Sequence, residues 1–310
     1  MTDPSYPVPS TISPQAQRWL GFRNPATQFP ERGDTEGWIN LVEQSNEYIA
    51  RQFLGHELPV SIDTLTVDEV TVYVARPGGV GEKPDELIYL NFHGGGLFMG
   101  GGDACRAMTA VAALSSNQVT WGVDYRMPPI DPYPAALDDA TTVYQRLLES
   151  HDPRRIIVGG GSAGGNLAAA LALRAKNESL PLPAALILNT PEIDLTESGD
   201  TFTVLDGVDN VLSSLATVND LYADGADLTD PYLSPIFGDL TGFPPTFLQS
   251  GTRDLFLSNT VRMHRKLLAV GVEAELHVFE AMPHGGFGGQ SPEDEDHAAA
   301  QRAFIAKHTR

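Results

Sequence analysis

The residue of this chain best placed for nucleophilic chemistry is Ser162, which lies in the run Gly160-Gly161-Ser162-Ala163-Gly164. Residues 155–158 before it predict a buried strand, and residues 166–173 after it are rich in Ala and Leu and predict a helix. Such a tight strand-to-helix turn needs small neighbours and holds the serine in an unfavourable backbone conformation. The hydroxyl then projects at the carboxyl end of a sheet, beside a helix N-terminus. The alternative is a glycine-rich phosphate loop, but the lysine of that motif is absent.

A serine nucleophile requires a base and an orienting acid. His284 follows the last predicted strand, at the same edge of the sheet as Ser162, whereas the other histidines lie at helix ends, inside a strand or in the terminal helix. Asp254 follows a predicted strand, and a carboxylate there can fix the imidazole tautomer. The alternative for Asp254 is a cap for a helix starting near Ser258. Four other loop carboxylates do not directly follow a strand: Asp224, Asp227, Asp230 and Asp239.

The run His93-Gly94-Gly95-Gly96 follows another predicted strand and is the candidate oxyanion hole. Consecutive glycines let backbone N–H groups point at a developing alkoxide without obstruction, and the N–H of Ala163 would complete the set of donors. We expect His93 to fix this loop by hydrogen bonding rather than to act as a second base. A dinucleotide loop is the alternative, but a glycine cluster alone is weak evidence for one.

Charge balance and cysteine content exclude several classes of protein. The 310 residues carry 20 Lys and Arg against 40 Asp and Glu, and this net charge of −20 argues against nucleic acid and anionic membranes as partners. Cys105 is the one cysteine, so no intrachain disulfide can form, and we expect it in the core. With no signal peptide pattern and no long apolar run, we expect a cytoplasmic protein. The histidines lack the clustered spacing of metal ligands, so we expect no metal and no cofactor.

Hydrophobic periodicity predicts an α/β protein. Polar and apolar residues alternate within 60–65 and 69–74, which predicts an antiparallel pair of strands. Later apolar runs are separated by helical segments, which is typical of a parallel sheet covered on both faces. Those later strands are predicted at 86–92, 119–124, 155–159, 184–189, 245–250 and 273–279. Helices are predicted at 34–54, 104–116, 135–149, 165–177, 258–270 and 294–308. Residues 195–235 break the alternation and are the natural place for a lid segment.

Six motifs together resemble the hormone-sensitive-lipase-like esterases. They are His93-Gly94-Gly95-Gly96, Asp124-Tyr125-Arg126-Met127-Pro128-Pro129, Tyr133-Pro134-Ala135-Ala136-Leu137-Asp138-Asp139, Gly161-Ser162-Ala163-Gly164-Gly165-Asn166-Leu167-Ala168, Asp254 and Pro283-His284-Gly285. The resemblance covers residues 70–310 and implies an α/β-hydrolase fold, with an eight-stranded, mostly parallel sheet flanked by helices and a helical cap. It implies a triad on Ser162, Asp254 and His284, and it implies oxyanion donors from Gly95, Gly96 and Ala163.

In that family the cap is formed by N-terminal helices and by an insertion before the acid. The resemblance therefore divides this chain into cap, core, cap and core segments at 1–55, 56–194, 195–235 and 236–310. Four aromatic residues are candidates for lining the substrate pocket: Phe98, Phe202, Tyr222 and Phe287. The chain departs from the family pattern at Gly161, where family members usually carry an acidic residue, and at Ile130, where the usual glutamate is missing. The segment Pro191-Glu192-Ile193-Asp194 places an extra carboxylate near the base of the cap.

The expected activity is that of a serine carboxylesterase acting on small to medium acyl esters through an acyl-enzyme. A lactone hydrolase, or an amidase or formamidase, could use the same triad, and the sequence does not separate ester from lactone. A small-molecule receptor on a disabled hydrolase fold is the alternative from another class, and the retained His284 argues against it. The expected partner is a small-molecule ester or lactone. The oligomeric state is not readable, and an exposed edge strand would be one route to a homodimer.

Overall fold

A computed structural model describes residues 6–23, 28–54, 58–78 and 86–309. In these ranges eight strands form one sheet with the order β1-β2-β4-β3-β5-β6-β7-β8. The strands are β1 (Val60–Val67), β2 (Val70–Pro77), β3 (Ile88–Phe92), β4 (Val119–Asp124), β5 (Ile156–Gly161), β6 (Ala185–Asn189), β7 (Thr246–Gly251) and β8 (Ala274–Phe279).

The sheet is antiparallel at one edge and parallel elsewhere. β2 runs antiparallel to both β1 and β4, and all later neighbours are parallel. The inner strands are apolar at nearly every position because both faces of the sheet are covered, and successive side chains enter different clusters. One cluster takes Leu90, Val158 and Leu248, and the other takes Tyr89, Ile157 and Phe247. Parallel pairing also brings the carboxyl ends of β3, β5, β6, β7 and β8 to the same edge.

Helices cover both faces of this sheet. In the described ranges they are α1 (Pro14–Leu20), α2 (Thr35–Leu54), α3 (Asp103–Ser116), α4 (Ala135–Leu148), α5 (Ala163–Asn177), α6 (Thr201–Val204), α7 (Ala216–Ala223), α8 (Leu257–Ala269) and α9 (Pro292–His308). α3 packs against α9 and against β2 and β4, while α5 packs against α4 and against β3, β5 and β6. α8 covers β7 and β8.

The N-terminal segment and the segment around α7 meet in an apolar cluster, which we call the cap cluster. It is built on the buried residues Trp38, Phe98, Leu215, Val218, Leu221, Leu255 and Phe256, with Phe29 and Phe202 packed against it. The Trp38 ring lies 5.8 Å from the rings of both Phe29 and Phe98. Asn210 also donates to the carbonyls of Trp19 and Phe22, which links the two segments a second time. The domain boundaries remain a prediction.

The predicted elements are confirmed with small shifts at their ends. The elbow helix begins at Ala163 instead of residue 165, because Ser162 already accepts hydrogen bonds from Gly165 and Asn166. Asp34 caps α2 through Gly37 N–H at 2.9 Å, but the predicted stop at Gly55 lies outside the described residues. The helices α6 and α7 within 195–235 were not predicted. No helix in the described ranges is both long enough and apolar enough to cross a bilayer.

Candidate active site

Ser162 occupies the turn between β5 and α5 in a strained conformation, with φ 57° and ψ −123°. Its N–H donates to the carbonyl of Asn189 at 2.9 Å, and its own carbonyl accepts from Glu192 N–H at 3.1 Å. Two flanking glycines are required by packing. A Cβ on Gly160 would lie 2.3 Å from the Phe92 carbonyl oxygen, and a Cβ on Gly164 would lie 1.9 Å from the same atom. The loop after β3 therefore fits against the elbow only because both side chains are absent.

His284 and Asp254 form a buried pair at the same edge of the sheet. His284 Nδ1 lies 2.9 Å from Asp254 Oδ1, and the Asp254 side chain is fully buried. Ser250 Oγ donates to Asp254 Oδ2 at 2.6 Å, and Phe256 N–H donates to Oδ1 at 3.0 Å. The carboxylate thus has acceptor bonds on both oxygens and can hold the imidazole with Nε2 as its free nitrogen. Phe256, not Asp254, is the N-cap residue of α8, so the alternative role of Asp254 as a helix cap is not observed.

A second carboxylate, Asp209, supports the histidine from the cap segment. Its Oδ2 accepts from the backbone N–H groups of Leu255 at 2.9 Å and His284 at 3.2 Å. Its Oδ1 accepts from Val211 and Leu212 N–H. One buried side chain therefore ties the acid loop and the base loop to the lid segment. Sequence reasoning missed Asp209, because it lies in an irregular stretch whose pattern carries no signal of a distant partner.

The surroundings of His284 favour its charged form. Burial opposes the imidazolium, but the hydrogen bond and charge of Asp254, together with the charge of Asp209, raise the pKa of His284 above its usual 6.5. The ring of Phe256 lies 4.8 Å away at 78°, so an apolar edge limits how far the imidazole can turn. A histidine held in this way can take a proton from a hydroxyl and keep it through a reaction step.

The glycine loop lies directly beside Ser162. A Cβ on Gly94 would lie 3.5 Å from the Cβ of Ser162. Gly95 has φ 128°, and a Cβ there would lie 2.1 Å from the Met99 carbonyl oxygen, so only glycine fits. Gly96 has φ 57° and lies against Phe98 and Leu215 of the cap cluster. The roles of Gly95, Gly96 and Ala163 as oxyanion donors remain a prediction.

His93 anchors this loop and is unsuited to act as a base. Its Nδ1 lies 2.8 Å from the Gly94 carbonyl oxygen, and its ring stacks on Tyr125 at a centroid distance of 4.1 Å. Tyr125 Oη in turn donates to the His93 carbonyl at 2.8 Å. Burial lowers the pKa of His93 to about 4, so the imidazole is neutral at pH 7. These contacts are those expected of a residue that fixes the loop.

The four predicted pocket residues fall into two groups. Phe98 and Phe202 belong to the cap cluster, and Phe202 packs 5.6 Å from Phe256, the ring that touches His284. Tyr222 is buried in the main core beside Tyr133, and Phe287 is buried in a separate cluster with Ile12 and Met282. The structure thus places Phe98 and Phe202 in the cap cluster and Tyr222 and Phe287 in other clusters, and the pocket role of all four remains a prediction.

Glu192 is a buried carboxyl group behind the nucleophile. Among the described residues, no donor lies in good hydrogen-bond geometry to either of its side-chain oxygens, while its backbone N–H holds the Ser162 carbonyl. Burial and the charge of Glu197 raise the pKa of Glu192 to about 8, so it is mostly protonated at pH 7. The sequence predicted an extra carboxylate in this segment, and Glu192 lies there, but its carboxyl group carries little charge at neutral pH.

Two groups of metal-ligand side chains come together within the described residues, although the sequence spacing predicted none. Ligand atoms of His93, Cys105 and Asp124 lie within 4.8 Å of one another, as do those of Glu273, Glu275 and His308. Burial raises the pKa of Cys105 well above its usual value, which opposes the thiolate that a metal would need. Cys105 is fully buried, as predicted for a core residue.

A mostly parallel sheet with a serine on the turn from its central strand to a helix defines the α/β-hydrolase class. A family model described as alpha/beta hydrolase fold matches residues 89–288. The chain belongs to the hormone-sensitive-lipase-like family of that fold. The proteins that it resembles in sequence and in structure are named esterases.

Curated relatives and solved structures are similar to much of the chain. An esterase of Acinetobacter venetianus is 36% identical over 64% of this chain and 66% of its own length. The carboxylesterase NlhH of Mycobacterium tuberculosis is 31% identical over 74% of each chain. The crystal structure of an esterase called E25 superposes with a TM-score of 0.92 at 35% identity, over 100% of this chain and 98% of that one. A bacterial hormone-sensitive lipase family esterase gives a TM-score of 0.84 at 27% identity, over 96% of this chain and 99% of that one.

Proposed function

We propose that this protein is a serine carboxylesterase that hydrolyses small to medium acyl esters through an acyl-enzyme. Ser162 attacks the ester carbonyl while His284 takes its proton, and Asp254 orients the imidazole. Gly95, Gly96 and Ala163 N–H groups stabilise the tetrahedral intermediate. His284 then gives the proton to the leaving alcohol, and water hydrolyses the acyl-enzyme with the same base.

The observation that carries this proposal is the 2.9 Å contact between His284 Nδ1 and Asp254 Oδ1, together with the strained backbone at Ser162. A carboxylate with both oxygens bonded fixes Nδ1 as the protonated nitrogen and leaves Nε2 as an acceptor. Backbone strain at a nucleophile is a feature that the surrounding fold must maintain, and here two glycines without room for a side chain maintain it. Relatives named esterase, carboxylesterase and acetyl-hydrolase support the ester bond as the target.

The limit on acyl length follows from the cap. The cap cluster places Phe98 and Leu215 against the loop at Gly96, and we expect the acyl chain to face these apolar side chains. An apolar, enclosed space favours short and medium acyl chains over extended ones. Lactones, and amides such as N-formyl arylamines, place an acyl carbon in the same position and are the competing substrates.

The test is hydrolysis of p-nitrophenyl esters with acyl chains of increasing length, beside a panel of lactones, for the wild type and the Ser162→Ala variant. We expect serine-dependent turnover of short esters that exceeds lactone opening, and a fall in kcat of roughly 10⁶-fold in the variant. Retained turnover in Ser162→Ala would refute the assignment of the nucleophile. Fast lactone opening with poor ester turnover would reassign the enzyme as a lactonase.

A further inference from the structure

A cavity of about 290 Å³ opens beside the nucleophile between α3 and α9. Its lining reaches all three loops that carry the proposed mechanism, through Gly94 of the glycine loop, Gly161 of the elbow, and Gly285 and Gly286 after His284. None of the cap-cluster residues lines it. This space therefore borders the loops of the proposed active site on a side separate from the one where Gly96 meets Phe98 and Leu215.

One glycine of the lining, Gly161, directly precedes Ser162 and is not required by packing. The neighbouring Gly160 and Gly164 have carbonyl oxygens 2.3 Å and 1.9 Å from where a Cβ would lie. At Gly161 the nearest atom to such a Cβ is the Asn189 carbonyl oxygen at 3.8 Å, an ordinary contact. Its φ is not among the positive values found in the described ranges, so any residue could adopt this backbone. Because Gly161 has no side chain, the cavity stays open next to Ser162.

The lining mixes apolar side chains such as Phe92, Met108 and Val111 with polar side chains that carry no charge. Neutral side chains that can hydrogen-bond project from β3, β6, β7, α3 and α9, and include Asn91, Asn189, Gln249, Ser115 and Gln301. No Asp, Glu, Lys or Arg of the described ranges is among the lining residues. His297 lies 3.1 Å from Asn189 Oδ1, and burial lowers its pKa to about 4, so it too is neutral at pH 7. A charged ligand would find no counter-charge in this lining, whereas hydroxyl groups would find both donors and acceptors.

The position of the cavity indicates which half of an ester it would hold. In the proposed mechanism His284 returns its proton to the leaving oxygen, so the group attached to that oxygen lies on the side of His284. The cavity contacts Gly285 and Gly286 on that side. The opposite side, where Gly96 meets Phe98 and Leu215, is apolar and suits the acyl chain. The two halves of the substrate therefore face surfaces of different chemistry.

We propose that this cavity is the leaving-alcohol site, that it selects esters of neutral, polyhydroxylated alcohols, and that Gly161 determines this specificity. The inference rests on the proposed esterase function and names its substrate class. The volume corresponds to roughly nine or ten water molecules at about 30 Å³ each, which accommodates glycerol or one sugar ring. A purely aliphatic alcohol would displace water from the amide groups without replacing the hydrogen bonds.

The test compares two esters with the same acyl group and three-carbon alcohols, 1-monoacetylglycerol and propyl acetate. Methyl acetate, whose leaving group needs no pocket, reports the basal reaction. In the wild type we expect kcat/KM for monoacetylglycerol to exceed that for propyl acetate by about tenfold or more. Gly161→Val should lower that ratio about tenfold, and Gly161→Ala should lower it less, because the smaller side chain fills less of the cavity.

A second pair of variants keeps the test independent of the elbow. Ala112→Leu fills the cavity from α3, an element that carries none of the proposed catalytic residues, and should also lower the ratio. Ala299→Leu makes the same change at an exposed position on α9 outside the lining and should leave the ratio at the wild-type value. Equal kcat/KM for the two esters in the wild type, or a ratio that no cavity variant changes, would overturn the proposal. Failure to hydrolyse any ester in a Ser162-dependent manner would instead refute the esterase function itself.

Discussion

Replacing Asp209 with asparagine is the perturbation that tests most directly how this buried carboxylate supports His284, the proposed base. If the amide oxygen keeps the bonds to Val211 and Leu212, the amide nitrogen faces the N–H groups of Leu255 and His284, which lose their acceptor. A buried donor left unsatisfied costs about 1–3 kcal/mol, so the two together should lower the free energy of unfolding by about 2–6 kcal/mol. At roughly 2 °C per kcal/mol for a chain of this size, Tm should fall by about 4–12 °C.

The same substitution should change the pH profile in a defined direction. Asp209 is one of the charges that raise the pKa of His284 above 6.5. His284 must be neutral to accept the serine proton, so wild-type activity is lost as the pH falls through that raised value. Without the charge of Asp209 the pKa of His284 falls, and the acid limb of kcat/KM should move to lower pH. Any displacement of the imidazole would also reduce kcat at the plateau, by up to about 10²-fold per ångström.

The assay is kcat/KM for a short p-nitrophenyl ester between pH 5 and 8, together with thermal unfolding. Asp206→Asn is the matched control, since it removes the same charge from an exposed side chain three residues earlier in the same segment. The control should leave both Tm and the acid limb near their wild-type values. An Asp209→Asn variant with wild-type Tm, or with an acid limb moved to higher pH, would refute the supporting role assigned to Asp209.

Two further predictions follow from the packing around Ser162. Glu192→Gln should gain stability relative to the wild type as the pH rises from about 4.5 to 8. The folded wild-type carboxyl group, with its pKa raised from 4.5 to about 8, keeps its proton over that window, whereas the unfolded chain loses it, so the wild type alone is destabilised. A stability difference that does not vary between pH 5 and 8 in thermal unfolding would contradict this. Gly164→Ala should abolish soluble expression or lower the unfolding free energy by at least about 1–3 kcal/mol, since its Cβ would lie 1.9 Å from the Phe92 carbonyl oxygen. Gly161→Ala, with 3.8 Å of space, is its control and should unfold near the wild-type Tm.

Much of the fold and the triad candidates could be predicted because each depends on local pattern. Parallel strands buried on both faces are continuous apolar runs, and these located β3 to β8 to within about two residues. Ser162, Asp254 and His284 each follow such a strand. Because parallel strands end at the same edge of a sheet, these positions predicted that the three residues lie at one edge. The strained turn at Ser162 was likewise implied by its glycine neighbours.

The sequence by itself determined the strand-and-helix order, the buried cysteine, and the loops that carry Ser162, Asp254 and His284, because these are encoded by residues adjacent in the chain. Tertiary structure alone decided that Asp209 bonds the backbone of His284, which clusters bury Tyr222 and Phe287, and that Gly161 lines a cavity. Asp209 and His284 are 75 residues apart, and a pairing over that distance leaves no periodic trace. Space beside a glycine is likewise a property of whatever packs around it, which is fixed only when the distant helices α3 and α9 come together.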